Sequence, residues 1–379
     1  MSGFPPILGF SLWPARRTVD AARKRTVEDR IAWVDYAKGW SIVLVVTMHS
    51  ALGVGLAVGQ EGWLHEVVAF AKPFRMPDFF LVAGLFAGRA IDAPWRAFLD
   101  RKVLHFLYFY AIWLFVALAL KSPELHLSTP AAFLWAYAFG FVEPFSSMRF
   151  IQLLPILYLV TRLTERVPPP LVLGAAVAAH VLAASFPEGG KFAMASKLTG
   201  WTTIDSFLLF FVYFYCGHRF RDWIFAFARW LRRHSDAAVI GLILWAAVEE
   251  IAVIRGLPET PGATLLFGLA GGVAVIAVAV ILDRERRMRW LAYCGRNSLV
   301  IYLSFFLPMA AARTVLIRTG WIVDTGAMSA LVAAAAIAGP LALRALVRGT
   351  VLDFLYVRPF WARLEPRRRA EVEAPLHAS

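Results

Sequence analysis

The chain has 379 residues, 59% of them hydrophobic and only 17% charged, with a formal net charge of +13. That balance excludes a soluble globular enzyme and a disordered or collagen-like chain. Runs of about twenty apolar residues, each long enough for one bilayer crossing, recur along nearly its whole length, and the excess of Lys and Arg reads as cytoplasmic loop charge instead of a nucleic-acid footprint.

Residues 1–29 place a short apolar stretch before a basic cluster (Arg16, Arg17, Arg23, Lys24, Arg25). This is the reverse of a signal peptide's order, and the segment is expected to be a basic cytoplasmic tail. The membrane domain is expected over 30–350. It should be an all-α polytopic transmembrane bundle of about ten spans, with both termini cytoplasmic and a cytoplasmic C-terminal tail over 351–379. The spans are placed near 39–58, 72–89, 102–120, 149–166, 169–186, 203–220, 236–254, 263–282, 290–311 and 326–347.

The first span carries the most informative pair. Lys38 and His49 lie eleven residues apart, so they share one helix face about 16 Å apart along the axis. Lys38 suits the cytoplasmic interface, and His49 falls near the bilayer midplane. An ionisable group there costs roughly 2.5 kcal/mol or more unless it faces protein or water, so His49 is a candidate functional residue. The blander alternative is a histidine tolerated by packing. Asp35 falls near the same stripe as Lys38.

The second span reads Lys72-Pro-Phe-Arg75-Met-Pro77-Asp78-Phe-Phe-Leu-Val-Ala-Gly84. Counted back from Arg89, Asp78 comes near the depth of His49, with Arg75 about one turn further out. Pro77 lacks a helix N–H, so a break or kink is expected there. An Arg75–Asp78 pair that only neutralises itself is the structural alternative; Asp78 fixing the His49 tautomer is another.

The stretch 131–147 is aromatic and ambiguous, and charge decides it. If it stays on the outer surface, thirty of the 39 Lys and Arg residues fall inside and nine outside; if it spans, the split becomes 17 against 22. The positive-inside rule selects the first arrangement, with 131–147 as an interfacial helix or re-entrant piece at the outer mouth. Further on, the inner loop from Arg219 to His234 interleaves Arg221, Arg229, Arg232 and Arg233 with Trp223, Phe225, Phe227 and Trp230. It suits a helix lying on anionic lipid heads; a site for an anionic soluble substrate is the weaker alternative. Cys216 and Cys294 sit on different spans, and no disulfide framework is expected. No fixed-period repeat is apparent.

The segment Arg-Ile-Ala-Trp-Val-Asp-Tyr-Ala-Lys-Gly-Trp-Ser-Ile-Val-Leu-Val-Val-Thr-Met-His49 resembles the first span of the membrane-bound acyltransferase-3 family, in which a basic residue precedes a histidine by the same interval. Pro-Phe-Arg-Met-Pro-Asp-Phe-Phe-Leu-Val-Ala-Gly resembles the family's Met-Pro-x-Phe-Phe-x-x-Ser-Gly, with Ala83 in place of serine. Cys294-Gly-Arg-Asn-Ser298-Leu-Val-Ile-Tyr302 resembles its Gly-x-x-Ser-x-x-Ile-Tyr span. The likeness covers most of the chain, with the dense matches in its N-terminal third.

The resemblance implies an inner-membrane enzyme that moves an acetyl- or succinyl-type group from cytoplasmic acyl-CoA to a hydroxyl of an extracytoplasmic glycan. The implied partners are membrane lipid and the glycan or another hydroxyl acceptor, without nucleic acid or metal. His49 suits the general base, because imidazole titrates near the operating pH. Asp78 and Arg75 would assist it, as orienter and as holder of the oxyanion or of an acceptor carboxylate. Lys38, Arg101, Lys102 and His105 are expected to meet the CoA phosphates. Asp35, Arg149, Gln152, Trp135 and Tyr302 are expected around the acceptor. For the cations plain cytoplasmic anchoring is the alternative, and for the aromatics an interfacial belt. Two departures stand out: Arg101-Lys102-Val-Leu-His105 replaces the family's Arg-x-x-Arg, and Asp78 occupies a usually apolar position. The rival functions are an exporter of a glycan or lipid, with the buried charges as a relay, and a non-catalytic membrane relative.

Overall fold

A computed structural model describes residues 31–188 and 195–364. The first helix, α1 (Ala32–Val58), has Asp35 in its first turn and stops at Gly59, whose φ of 80° is the left-handed conformation that closes a helix. Next comes α2 (Trp63–Gly84). It begins well before the expected 72 and runs unbroken through Pro73 and Pro77, so the break expected at Pro77 is not there. It ends at Gly84, not at Arg89, which lies in a separate short turn, Gly88–Ile91.

α3 (Trp95–Lys121) is one continuous rod whose inner part, Leu99–Leu104, is wound as a π-helix. A short aromatic helix, α4 (Pro130–Phe139), is started by the Thr129 hydroxyl, which accepts the Ala132 N–H with Pro130 at the first position. At ten residues it is about 15 Å long, too short to cross a bilayer. It lies against the outer part of α3: Phe133 meets Phe115, Tyr137 donates to the Ala111 carbonyl at 3.1 Å, and Tyr110 donates to the Gly140 carbonyl. α5 (Arg149–Leu163) takes over at the inner part, where Tyr158 meets Lys102. Together, α4 and α5 run antiparallel to α3 over most of its length.

The remaining helices are α6 (Pro169–Ala184), α7 (Thr202–Arg219), α8 (Arg221–Arg233), α9 (Ser235–Ile254), α10 (Ala263–Arg284), α11 (Arg289–Arg296), α12 (Ser298–Ser304), α13 (Phe306–Thr319) and α14 (Thr325–Val347). A two-residue antiparallel ladder, Pro187–Glu188 with Ala195–Ser196, follows α6. α12 and α13 bend by 56° at Phe305. Each of the ten expected spans is helical over most of its length. Of these, α1, α3, α9, α10 and α14 are long and apolar enough to cross a membrane alone, and the bent α12–α13 pair makes a sixth. The others are shorter or carry buried polar groups. The chain is therefore a multi-helix membrane protein of all-α class. Cys216 and Cys294 are buried free thiols.

The core is centred on α1, which packs against α2, α10, α11 and α14, while α2 packs against α7 and α10. α1 and α11 approach backbone to backbone. A Cβ on Gly295 would strike the Asp35 carbonyl, and one on Gly39 the Leu291 carbonyl. Small residues at such crossings are how helices gain packing where lipid offers no hydrophobic contrast. This crossing fixes the N-terminal end of α1, and with it Asp35 and Lys38.

Residues 351–364 do not hang free as the start of a tail. They form a strap along α3 in which Trp113 donates to the Leu355 carbonyl at 2.9 Å and Tyr108 to Phe354 at 3.1 Å. Arg358 pairs with Asp100 at 2.7 Å, and Arg96 donates to Leu364 at 3.0 Å. Tyr356 reaches across to the Ser304 hydroxyl at 2.8 Å.

Candidate active site

Three cavities follow one another along α1. The first, about 210 Å³, is lined by His49, Arg75 and Arg149, with Met76, Phe79, Ser147, Phe150 and Tyr302 among its walls. His49 is half-buried and tilts against the Phe305 ring at 5.3 Å between centroids. Arg75 is 2% exposed, and one of its nitrogens donates to the Val68 carbonyl, seven residues earlier, at 3.4 Å. A cavity that brings an imidazole and two guanidinium groups together offers a proton acceptor beside two donors for an anionic oxygen.

The second cavity, also about 210 Å³, is lined by Lys38, Ser41, Ala83, Phe86, Lys102, Tyr158 and Ser298, and it shares Phe79, Phe150 and Tyr302 with the first. Those three rings form the wall between the two. Phe79 meets Phe150 edge-on at 4.0 Å, and Phe150 meets Tyr302 at 5.5 Å. Tyr302 is fixed, because its hydroxyl donates to the Ser147 carbonyl at 2.5 Å and accepts the Phe150 N–H at 3.2 Å. Lys102 donates to the Tyr158 hydroxyl at 3.2 Å, and Lys38 sits over the Phe86 ring at 4.8 Å.

The third cavity, about 180 Å³, shares Lys38 and Phe86 with the second and adds Asp35, Arg89 and Arg221.

The structure thus brings His49, Arg75, Arg149 and Tyr302 together, places Lys38 and Lys102 on the opposite side of the shared wall, and puts Asp35 beyond Lys38. Other expected residues fall elsewhere. Asp78 is fully buried but does not line the His49 cavity; one carboxylate oxygen accepts the Ser41 hydroxyl at 3.2 Å, and the Arg75 charge acts on it. The reason is the early end of α2. With the helix stopping at Gly84, Asp78 sits at the level of Ser41, eight residues or ~12 Å before His49 along α1, and the long Arg75 side chain is the one that reaches into the imidazole's cavity.

Gln152 is buried as a clamp. Its amide donates to the Phe141 and Val142 carbonyls at 3.0 and 3.3 Å, and its oxygen accepts the Thr203 hydroxyl at 3.0 Å. Trp135 is 73% exposed and stacks only on Phe139, away from all three cavities. Arg101 faces outward from the π-helix, and His105 packs edge-on between Phe106 and Phe109; neither lines a cavity. Sequence reasoning missed the wall residues Phe79 and Phe150, which look like ordinary span aromatics, and the role of Tyr158. Arg89 and Arg221 carried only the general signal of basic residues near helix ends.

No solved structure matches the chain. Inner membrane protein YcfT of Escherichia coli (strain K12) is 29% identical over 162 residues, covering 37% of this chain and 45% of that protein. The chain therefore aligns with less than half of that relative's length. The sequence profile of the acyltransferase domain family matches residues 31–345, which takes in every helix from α1 to most of α14 and all three cavities. The helical membrane architecture, the basic residue and histidine facing one way on the first helix, and a match over most of the chain agree: this protein belongs to the acyltransferase-3 family.

Proposed function

We propose that this chain is an integral-membrane O-acyltransferase of the inner membrane. It crosses the bilayer ten times with both termini cytoplasmic, and carries an acetyl- or succinyl-type group from cytoplasmic acyl-CoA to a hydroxyl of an extracytoplasmic glycan. The observation that carries the reading is the cavity shared by His49, Arg75 and Arg149, divided from a lysine-lined cavity by a single aromatic wall. His49 takes the proton of the acceptor hydroxyl as its oxygen attacks the thioester carbon. Arg75 and Arg149 hold the oxyanion of the tetrahedral adduct. The adduct collapses by breaking the carbon–sulfur bond, and the proton on His49 passes to the departing thiolate. Asp78, tied to Ser41, balances the buried Arg75 charge from the side away from the imidazole. Lys38 and Lys102 hold the donor on its way in.

The test uses purified protein with acetyl-CoA and an envelope glycan acceptor. Acceptor-dependent release of free CoA, with an ester mass added to the glycan, supports the transferase. Gradient-dependent uptake of glycan into vesicles without CoA release would overturn it in favour of an exporter.

A further inference from the structure

We infer that the cavity of Lys38, Arg89 and Arg221 is the phosphate-binding subsite for the nucleotide end of the donor, which rests on the transferase reading above. Three cations face one carboxylate, Asp35, across about 180 Å³, with Ile31, Val34, Leu85 and Phe86 as the apolar remainder. The three cations come from three separate elements. Lys38 is on α1, Arg89 is in the turn after α2, and Arg221 opens α8. Basic residues placed only for cytoplasmic anchoring would point into lipid heads or water, whereas these converge on one concavity. Arg221 lines this cavity and lies over the Phe225 ring at 5.2 Å, a contact that restrains its guanidinium. Arginine forks are matched to phosphate oxygens, and a lysine beside them adds a point charge.

Length gives the second argument. Lys38 lies on the border between this cavity and the next, and His49 is eleven residues further along α1, or about 16 Å. The pantetheine arm of CoA has the backbone length of roughly four to five residues of extended chain, ~14–18 Å. A diphosphate held at Lys38, Arg89 and Arg221 therefore leaves an arm long enough to fill the middle cavity and bring its sulfur to the Phe79, Phe150 and Tyr302 wall that borders the His49 cavity. That cavity suits the arm: Phe79, Val82, Ala83, Phe106 and Leu154 offer apolar contact, and Ser41, Lys102 and Tyr158 offer polar groups for its two amides. Phosphates held at Arg101, outside all three cavities, would have no such path.

The experiment measures CoA binding to the full-length protein in nanodiscs by calorimetry, and transfer from two donors, acetyl-CoA and the phosphate-free thioester S-acetyl-N-acetylcysteamine. Arg89→Ala and Arg221→Ala are each expected to weaken CoA binding about tenfold, and the double variant further. The ratio of acetyl-CoA to phosphate-free transfer should fall by at least the same factor; Arg221→Lys should recover part of the loss. Unchanged CoA affinity in the double variant overturns the subsite, as does an equal loss with both donors, which marks damage to the fold. The two readings fail separately. Arginine-dependent CoA binding without acceptor-dependent CoA release leaves the subsite and removes the transferase. CoA release indifferent to both arginines leaves the transferase and removes the subsite.

Discussion

Arg358 and Asp100 form an ion pair at 2.7 Å although they are 258 residues apart, and both side chains are at most 7% exposed. Arg358 also donates to the Asp100 carbonyl at 2.7 Å, and the Leu364 N–H donates to the Asp100 carboxylate at 2.7 Å. The pair therefore ties the strap to the π-wound turn that carries Arg101 and Lys102. Breaking a buried pair by removing one partner leaves the other charge stranded, at a cost of about 3–5 kcal/mol. Arg358→Ala and Asp100→Ala should each lower thermal stability in detergent by that order. The double variant should lose much less than the sum, and strictly additive losses would show that the pair does not act as a unit.

His49→Ala should leave the protein folded and lower acyl transfer by about 10²–10⁴, the usual contribution of a positioned general base. Transfer measured by CoA release with the acceptor at saturation is the relevant assay. A rate equal to the unsubstituted protein's removes the imidazole from the chemistry.

Much of this site was legible in the sequence because it is written along single helices. The eleven-residue step from Lys38 to His49 fixes face and distance at once. What could not be read is azimuth and where helices stop. Asp78 was expected beside His49 because α2 was counted from Arg89; the helix ends at Gly84, and the carboxylate lands on Ser41. Pro77 looked like a break but is accommodated in an unbroken helix. The strap was invisible because its hold on α3 is made largely through backbone carbonyls of Phe354, Leu355 and Leu364, which any sequence possesses.

The rings of Phe79, Phe150 and Tyr302 divide two cavities of equal volume. Phe150→Ala removes the ring that meets both neighbours and should join the two 210 Å³ cavities. The variant is expected to raise the rate with butyryl- or hexanoyl-CoA relative to acetyl-CoA several-fold, read as relative kcat/KM across the donor series. An unchanged chain-length profile would mean the wall does not select the acyl group.

The α1–α11 crossing should tolerate no side chain. Gly295→Ala places a methyl against the Asp35 carbonyl, and overpacking of this kind costs typically 1–3 kcal/mol. Gly174→Ala, where the added carbon meets nothing within 4 Å beyond its own helix backbone, is the matched control. It should be neutral or slightly stabilising, since alanine is the better helix former. Equal thermal midpoints for the two variants would show that the crossing is not tight.

The three rings between the His49 cavity and the lysine cavity also bear on the cell's energy supply. Under the proposed reaction the donor and the acceptor enter from opposite faces, and an open passage between them would drain the proton gradient. Each unit charge leaking through dissipates about 2.3 kcal/mol per 100 mV. Phe79, Phe150 and Tyr302 present hydrocarbon edges to that path, with one hydroxyl already committed to the Ser147 carbonyl, so the rings interrupt a continuous polar file of water between the two cavities.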